Sequence, residues 1–268
     1  MESKISRALK LKYEPVAILW SDEKSQKATQ FKEGKWGCVM WKLASAAKGK
    51  TGVFDRYTFG CPGGGVGLGF GNQYENFMGG IEGFCHFLSC GNENTERKEI
   101  GEQIEKYGCK EAADNFLKGE RYVKTPELVK KFLEKLPMRD IPYRYVVFKP
   151  LSKLDEDEQP VVIVFVVNPH QLSALIVLAN YDREGINNVI APMGAGCHQI
   201  GIFPYKEADS DNPRAVIGLT DLSARKNVRR QLGEDVLTFA VPYKMFKEME
   251  ENVEGSFVER DTWKSLVE

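Results

Sequence analysis

Val161-Val162-Ile163-Val164-Phe165-Val166-Val167, followed at once by Asn168-Pro169-His170-Gln171, is the stretch that sets the fold class. Its first seven residues are apolar and all but Phe165 are β-branched, so they suit a pleated surface better than a helix. The run has strand length and is far too short to cross a membrane. The Asn-Pro step then opens a helix through Ala179, with Leu172, Leu175, Ile176 and Ala179 on one face. A strand feeding directly into an amphipathic helix belongs to the α/β and α+β classes.

Working outward, Pro15 to Trp20 predicts a buried strand, and Tyr143 to Phe148 predicts another ahead of the acidic turn Asp155-Glu156-Asp157-Glu158. Ala215 to Leu219 and Val236 to Val241 predict two more, and Pro242 to Glu251 a closing helix. Cys38 to Ala47 reads as a helix ending at Gly49. Gly60 to Gly71 holds seven glycines in twelve residues, which predicts a loop with positive φ angles or a close backbone approach.

Four helices are expected in the middle of the chain. One runs from Tyr74 to Ser89; the next starts at Thr95, aligns Ile100, Ile104 and Tyr107, and stops at Gly108. A third spans Lys110 to Lys118. The fourth has Thr125 as N-cap, Pro126 at its first position, Leu128, Phe132, Leu133 and Leu136 on one side, and Pro137 beyond its end. Strand-rich outer thirds around a helical middle give an α/β (or α+β) fold. The expectation is a single domain over 1–268, with a mixed sheet from pseudo-repeated halves 1–92 and 140–268 and a helical insertion at 93–139.

The repeat is read from the cysteines. Trp36-Gly37-Cys38 and Gly194-Ala195-Gly196-Cys197 each open an apolar segment; Gly60-Cys61-Pro62 follows the first cysteine by 23 residues and Thr220-Asp221 follows the second by 24. A cysteine at a helix start lies on unpaired N–H groups, which predicts a lowered pKa and a thiolate. Thiolates gathered from distant loops suit a soft metal or an iron–sulfur cluster. Cys38, Cys61 and Cys197 are therefore the candidate metal ligands, with Asp221 as the fourth by repeat symmetry and Cys90 and His198 as rivals. His198 points away from Cys197 if that segment is helical. Cys85, inside Phe84-Cys85-His86-Phe87-Leu88, reads as a core thiol, Cys90 as the end of that helix, and Cys109 as incidental.

Composition narrows the class. At 268 residues with 28% charged side chains and a formal net charge of −1, nothing calls for a nucleic-acid or membrane partner. The first residues carry no apolar run of signal-peptide type, so a cytoplasmic location is expected and a disulfide framework from the six cysteines is not. No C-x-x-C pair is present, which argues against a zinc ribbon or thioredoxin motif. No G-x-G-x-x-G is found in 60–71, and Gly49-Lys50-Thr51 has Ala44 where a P-loop needs glycine, so no nucleotide is expected.

The remaining motifs have plainer readings. His170 reads as a capping or packing residue. Arg225, Lys226, Arg229 and Arg230 read as a solvated basic run, except that Arg225 is a candidate for an anionic substrate. Trp36 and Trp41 flank Cys38 and would shield a cluster from water.

At these residues the chain resembles the domain-of-unknown-function family 169, also called ArCR. The shared features are Pro15-Val16-Ala17, Cys38 before an apolar helix, Cys61 in a glycine-rich turn, Asn168-Pro169-His170-Gln171 after a strand, Cys197, and Pro242-Tyr243 after the last strand. The resemblance covers nearly the whole chain and implies no established activity. Its members are common in anaerobic bacteria and archaea. Many carry a cysteine where this chain has Asp221, so it implies a three-cysteine site with a carboxylate, water or substrate in the fourth position.

The expected function is an iron–sulfur, specifically [4Fe–4S], or other metal-binding protein engaged in electron transfer or redox chemistry on a small molecule. Asp221 and Arg225 are the candidate catalytic residues, and Gly37, Gly60, Gly63, Gly64 and Gly196 line the cofactor. A small-molecule ligand or redox partner protein is expected, and homo-oligomerisation is compatible with this. The alternatives are a non-redox metabolite-binding protein with structural cysteines, its ligand enclosed by the glycine loop and Asn168–Gln171, and a hydrolase or transferase with Cys38 or Cys61 as nucleophile.

Overall fold

The computed structural model describes residues 2–106 and 110–267, and the expectations for Tyr107, Gly108 and Cys109 lie outside them. From the N-terminus the elements are α1 (Lys4–Ala8), β1 (Val16–Ser21), α2 (Val39–Ala46), β2 (Gly52–Phe54) and α3 (Pro62–Leu68). Next come α4 (Gly80–Leu88), α5 (Lys98–Lys106), α6 (Lys110–Lys118) and α7 (Pro126–Lys135). They are followed by β3 (Tyr145–Pro150), β4 (Val162–Val167), α8 (Pro169–Asn180), β5 (Val189–Ile190), α9 (Gly196–Ile200) and α10 (Ile202–Ala208). The last elements are β6 (Ala215–Gly218), α11 (Leu222–Leu232), β7 (Leu237–Pro242), α12 (Tyr243–Glu251) and α13 (Asp261–Val267). The chain forms two compact units, Met1–Phe70 with Arg139–Glu268, and Gly71–Met138.

The larger unit is an α/β structure on one seven-stranded mixed sheet of order β2-β3-β1-β4-β7-β6-β5. All neighbours are antiparallel except β5 and β6. β1 and β4 pair at its centre, with Ile18 opposite Val162 and Val16 opposite Val164. Strand side chains alternate between faces. Ala17, Leu19, Ile163, Phe165, Val167, Phe239 and Val241 join one core with Ile5 of α1 and its C-cap Leu9, Leu175 and Leu178 of α8, Phe246 of α12 and Trp263 of α13. The alternate residues Ile18, Val162, Val164, Val166 and Ala240 are also buried, which is why β4 reads as a continuous apolar run. Helices α2, α9 and α10 pack on the sheet through β3, β4, β6 and β7. Burying each such Val, Ile or Phe contributes about 1.5–3 kcal/mol.

The Asn168–Gln171 motif has a local explanation. Asn168 accepts from the Gln171 N–H at 2.9 Å and Gln171 Oε1 accepts from the Asn168 N–H at 3.1 Å, a reciprocal capping box with Pro169 at the first turn. Gln171 Nε2 then donates to the carbonyls of Leu9 and Lys10 at 3.1 and 3.2 Å, pinning α1 to the start of α8. His170 is exposed beside this cap.

Three local expectations are corrected. The glycine-rich segment is not all loop: Pro62–Leu68 is helical. Cys61 caps it by accepting from the Gly64 N–H at 3.3 Å, Pro62 starts it, and Gly69 ends it in the left-handed region at φ +89. The helix expected over 74–89 is broken, because Gly79 and Gly80 both take positive φ and leave a 3-10 turn at Gln73–Asn76 ahead of α4. On α7 the buried face is Val129, Leu133 and the capping Leu136, while Leu128 is exposed.

The smaller unit, Gly71–Met138, is helical. It takes in α4 as well as the helices of the segment 93–139. Its core is aromatic: Phe84 stacks on Tyr74 at 3.9 Å, and Phe77 meets Phe84, Phe87 and Phe116. Buried Asn92 donates to the carbonyls of Gly83 and Phe116, and Cys85 is 1% exposed, a core thiol as its apolar context predicts. No helix among the described residues is long and apolar enough to cross a membrane.

Candidate functional site

Four helix starts carry the candidate ligands. Cys38 is the N-cap of α2 and faces the N–H groups of Met40 and Trp41 without closing a cap hydrogen bond; the Asn227 side chain of α11 also lies on its thiol. Cys61 is the N-cap of α3. Cys197 is the second residue of α9, and its thiol donates to the Gly63 carbonyl at 2.9 Å. Asp221 is the N-cap of α11: Oδ1 accepts from the Ser223 N–H at 2.9 Å and Oδ2 from the Gly196 N–H at 3.1 Å. One carboxylate thus ties the start of α11 to the start of α9.

Gln199 reinforces that tie. Fully buried, it donates through Nε2 to Thr220 Oγ1 at 2.6 Å and to the Pro192 carbonyl at 2.9 Å, while its Oε1 accepts from the Thr220 N–H at 3.3 Å. Glycine makes the close approaches possible. A Cβ on Gly67 would fall 2.6 Å from the Cys197 carbonyl carbon, and one on Gly64 would fall 2.8 Å from Val39 Cγ2. The Gly37 N–H donates to the Gly60 carbonyl at 3.3 Å, and a Cβ on Gly60 would sit 2.3 Å from Gly37 O. Gly196 packs on Ala224 and on Met40, whose sulfur would lie 3.3 Å from an added Cβ.

The three thiols share one electrostatic neighbourhood. Cys61 and Cys38 both act on Cys197, Cys38 acts on Cys61, and Asp221 acts on all three. The expected thiolates are not what this produces. Burial is the largest influence and pushes the Cys38 thiol up, the Cys61 thiol up to about 11, and the Cys197 thiol well above the ordinary range. Backbone N–H groups pull the other way at each thiol but are outweighed by burial. Cys38 and Cys61 keep part of their surface in solvent, yet protein surrounds the sulfur closely enough for desolvation to win.

In kind, three thiols and a carboxylate suit a thiophilic ion. In placement they are not a ready ligand set: no three His, Cys, Asp or Glu side chains among the described residues are arranged to hold a metal ion. The Cys197–Gly63 hydrogen bond shows one reason, since that thiol is directed at the backbone of α3.

The other expected site residues sit as follows. Arg225 donates to the carbonyls of Leu219, Val236 and Glu234, fastening the turn after β6 to the loop before β7. His198 is 1% exposed, its pKa pushed down to about 3 by burial, and its Nδ1 accepts from the Ala195 N–H at 3.3 Å. Cys90 lies in the smaller unit beside His86, and it is not among the groups that act on the three thiols. Trp36 and Trp41 meet edge to face at 5.2 Å, with Trp41 donating to the Asn227 carbonyl, while Trp36 stays 63% exposed.

Sequence reasoning missed Gln199, Asn227 and Gly67. Only Gly67 left a trace, as one glycine among many; the other two act across long sequence separations that no local pattern records.

No curated protein and no solved structure matches the chain. The profile of the family described as uncharacterised ArCR, DUF169, matches residues 4–252. That span runs from α1 through α12 and contains every one of the four helix starts above, so the chain belongs to the DUF169 (ArCR) family.

Proposed function

We propose that this chain binds a thiophilic metal centre, with a [4Fe–4S] cluster as the leading form, through Cys38, Cys61 and Cys197. The observation that carries the reading is the convergence of three thiols and one carboxylate from four helix starts into a single electrostatic neighbourhood. The three thiols lie close enough to influence one another while each sits at a helix start. Burial raises all three thiols most; Cys38 adds to this at Cys61, Cys38 and Cys61 add to it at Cys197, and Asp221 adds to it at all three, so without a cation the group stays protonated. A soft cation reverses that balance, because its charge favours each thiolate and binding releases the protons.

Asp221 is the fourth ligand in this reading, or the acid/base group beside an open metal position. Its oxygens each accept one backbone N–H and keep lone pairs for a second partner. Arg225 acts as a positioning residue that holds the turn after β6. Binding requires Cys197 to release the Gly63 carbonyl, a side-chain rotation at the first turn of α9. The chemistry that follows is electron transfer or redox conversion of a small molecule, carried out by an oxidoreductase or an electron carrier.

The reading in which Asn168–Gln171 encloses a metabolite is weaker, since that motif is occupied by its own capping box and by α1. Serine replacement of Cys38, Cys61 and Cys197, one at a time, tests the proposal. After anaerobic reconstitution with iron and sulfide, each variant should lose the visible chromophore. A Cys38→Ser chain that keeps its full chromophore contradicts the assignment.

A further inference from the structure

Around the three thiols the larger unit presents a surface that ligation itself does not use. Cys38 and Cys61 keep part of their surface in solvent. Three large apolar side chains stand exposed beside the converging helix starts: Trp36 just before Gly37-Cys38, Met193 just before the Gly194–Cys197 turn, and Leu222 next to Asp221. Their backbones are tied together. Trp36 meets Trp41 edge to face, Trp41 Nε1 donates to the Asn227 carbonyl of α11 at 2.9 Å, and Asp221 Oδ2 accepts from the Gly196 N–H at 3.1 Å. Single exposed apolar residues are ordinary on a protein surface, but a group of them around one site marks an interaction surface.

The same surface is basic. Leu222, Lys226 and Arg229 follow one another at i, i+4 and i+7, so they form one exposed stripe running down α11 from the site, with Arg230 beside it. Ala224, Val228 and Leu232 bury the other side of that helix. Lys32 and Lys35 are exposed in the segment that leads to Trp36. The carboxylates in these segments are Glu33 and Asp221, with Glu234 and Asp235 beyond the far end of α11. The whole chain has a formal net charge of −1, so this excess of cations is local. An apolar centre with a charged rim is how a small, transient protein interface is built, and a cationic rim selects an acidic partner. A nucleic acid or an anionic membrane would meet a chain with no overall excess of positive charge.

We propose that Trp36, Met193, Leu222 and the basic stripe of α11 form the docking face for a small acidic electron-carrier protein. The carrier is chosen over other acidic proteins by position: a partner seated here covers the solvent-facing side of Cys38 and Cys61. Its redox role rests on the metal-centre reading above. In each encounter one electron leaves the reduced carrier and enters the centre, so the carrier is oxidised by one electron and the centre reduced by one. No bond forms or breaks and no proton moves.

The test is a calorimetric titration of the full chain, before and after anaerobic reconstitution with iron and sulfide, using an acidic bacterial [4Fe–4S] ferredoxin as the probe. Binding should be saturable and should weaken about tenfold or more between low and high salt. Lys226→Gln/Arg229→Gln/Arg230→Gln should weaken it about tenfold at low salt and little at high salt. Trp36→Ala should weaken it about tenfold at both, as loss of an apolar anchor does. Lys264→Gln, on α13, should leave it unchanged. No binding, or binding that both the α11 and Trp36 variants leave intact, overturns the proposal, and so does tighter binding to anionic lipid vesicles or to single-stranded DNA. The two readings fail separately. A colourless chain that still binds ferredoxin with these dependences keeps the docking face and loses the metal centre, whereas a chain with its full chromophore that does not bind loses only the docking face.

Discussion

A Cβ placed on Gly67 would lie 2.8 Å from the Cβ of Cys197, so α3 and α9 touch through these two residues with no room for a side chain. In an exposed helix, alanine in place of glycine stabilises by about 1 kcal/mol. Here the contact reverses the sign. Gly67→Ala should lower the unfolding free energy by about 1–3 kcal/mol in urea titration, the cost of overpacking, and should weaken any metal binding through Cys197. A stabilised variant would mean that α3 and α9 part easily.

His198 sets a pH dependence. Its folded-state pKa is pushed down to about 3 by burial, below an unfolded value of 6.5. Between those values the unfolded chain binds more protons than the folded one, so stability falls as pH falls. The slope attributable to this residue is up to about 1.4 kcal/mol per pH unit. Urea titrations from neutral to mildly acidic pH should show that slope in the wild type and a shallower one in His198→Gln. Equal slopes would mean that His198 takes up its proton in the folded state.

Thiol reactivity in the metal-free protein should follow burial. Alkylation of Cys61 should rise only as pH approaches about 11, and Cys197 should be slower still. Asp221→Asn removes a charge that raises all three thiols and should shift their reactivity to lower pH. Stability moves with these protons: the folded thiols keep them above the unfolded cysteine value near ~8.5, so stability should decline as pH rises past it. Mass-spectrometric alkylation rates against pH check each thiol separately. Fast alkylation of Cys61 near neutral pH would contradict the burial argument.

The capping box gives a prediction about stability. Asn168→Ala removes one N-cap acceptor and should cost about 1 kcal/mol. Gln171→Ala should cost more, because the Leu9 carbonyl loses its Nε2 donor inside the protein. Urea midpoints compare the two, and a neutral Gln171→Ala would show that α1 is held by its other contacts, among them the Glu250 carboxylate on the Lys4 N–H and Trp263 Nε1 on the Ala8 carbonyl.

These residues also show where sequence reading succeeds and stops. β4 and α8 are legible because their signals are local: a β-branched run, then an Asn-Pro start with Gln three residues on. α3 is not, because four glycines of intrinsically poor helix propensity hide a helix that depends on a cysteine cap, a proline start and contact with a segment 130 residues away. The convergence of Cys38, Cys61, Cys197 and Asp221 is legible in part, through their glycine and helix-start contexts. Their protonation is not. The N–H groups that favour a thiolate are visible in the local sequence, whereas the burial that outweighs them comes from the tertiary fold. The Gln199–Thr220 pair, which brings Asp221 to the start of α9, joins residues 21 apart and has no local signature.

The most direct measurement is a visible spectrum with iron and acid-labile sulfide analysis on the chain purified without oxygen. The expected result is a brown protein with about four irons and four sulfides per chain. Colourless, metal-free protein, unchanged after anaerobic reconstitution with iron and sulfide, would contradict a [4Fe–4S] centre and leave Cys38, Cys61 and Cys197 as packed thiols.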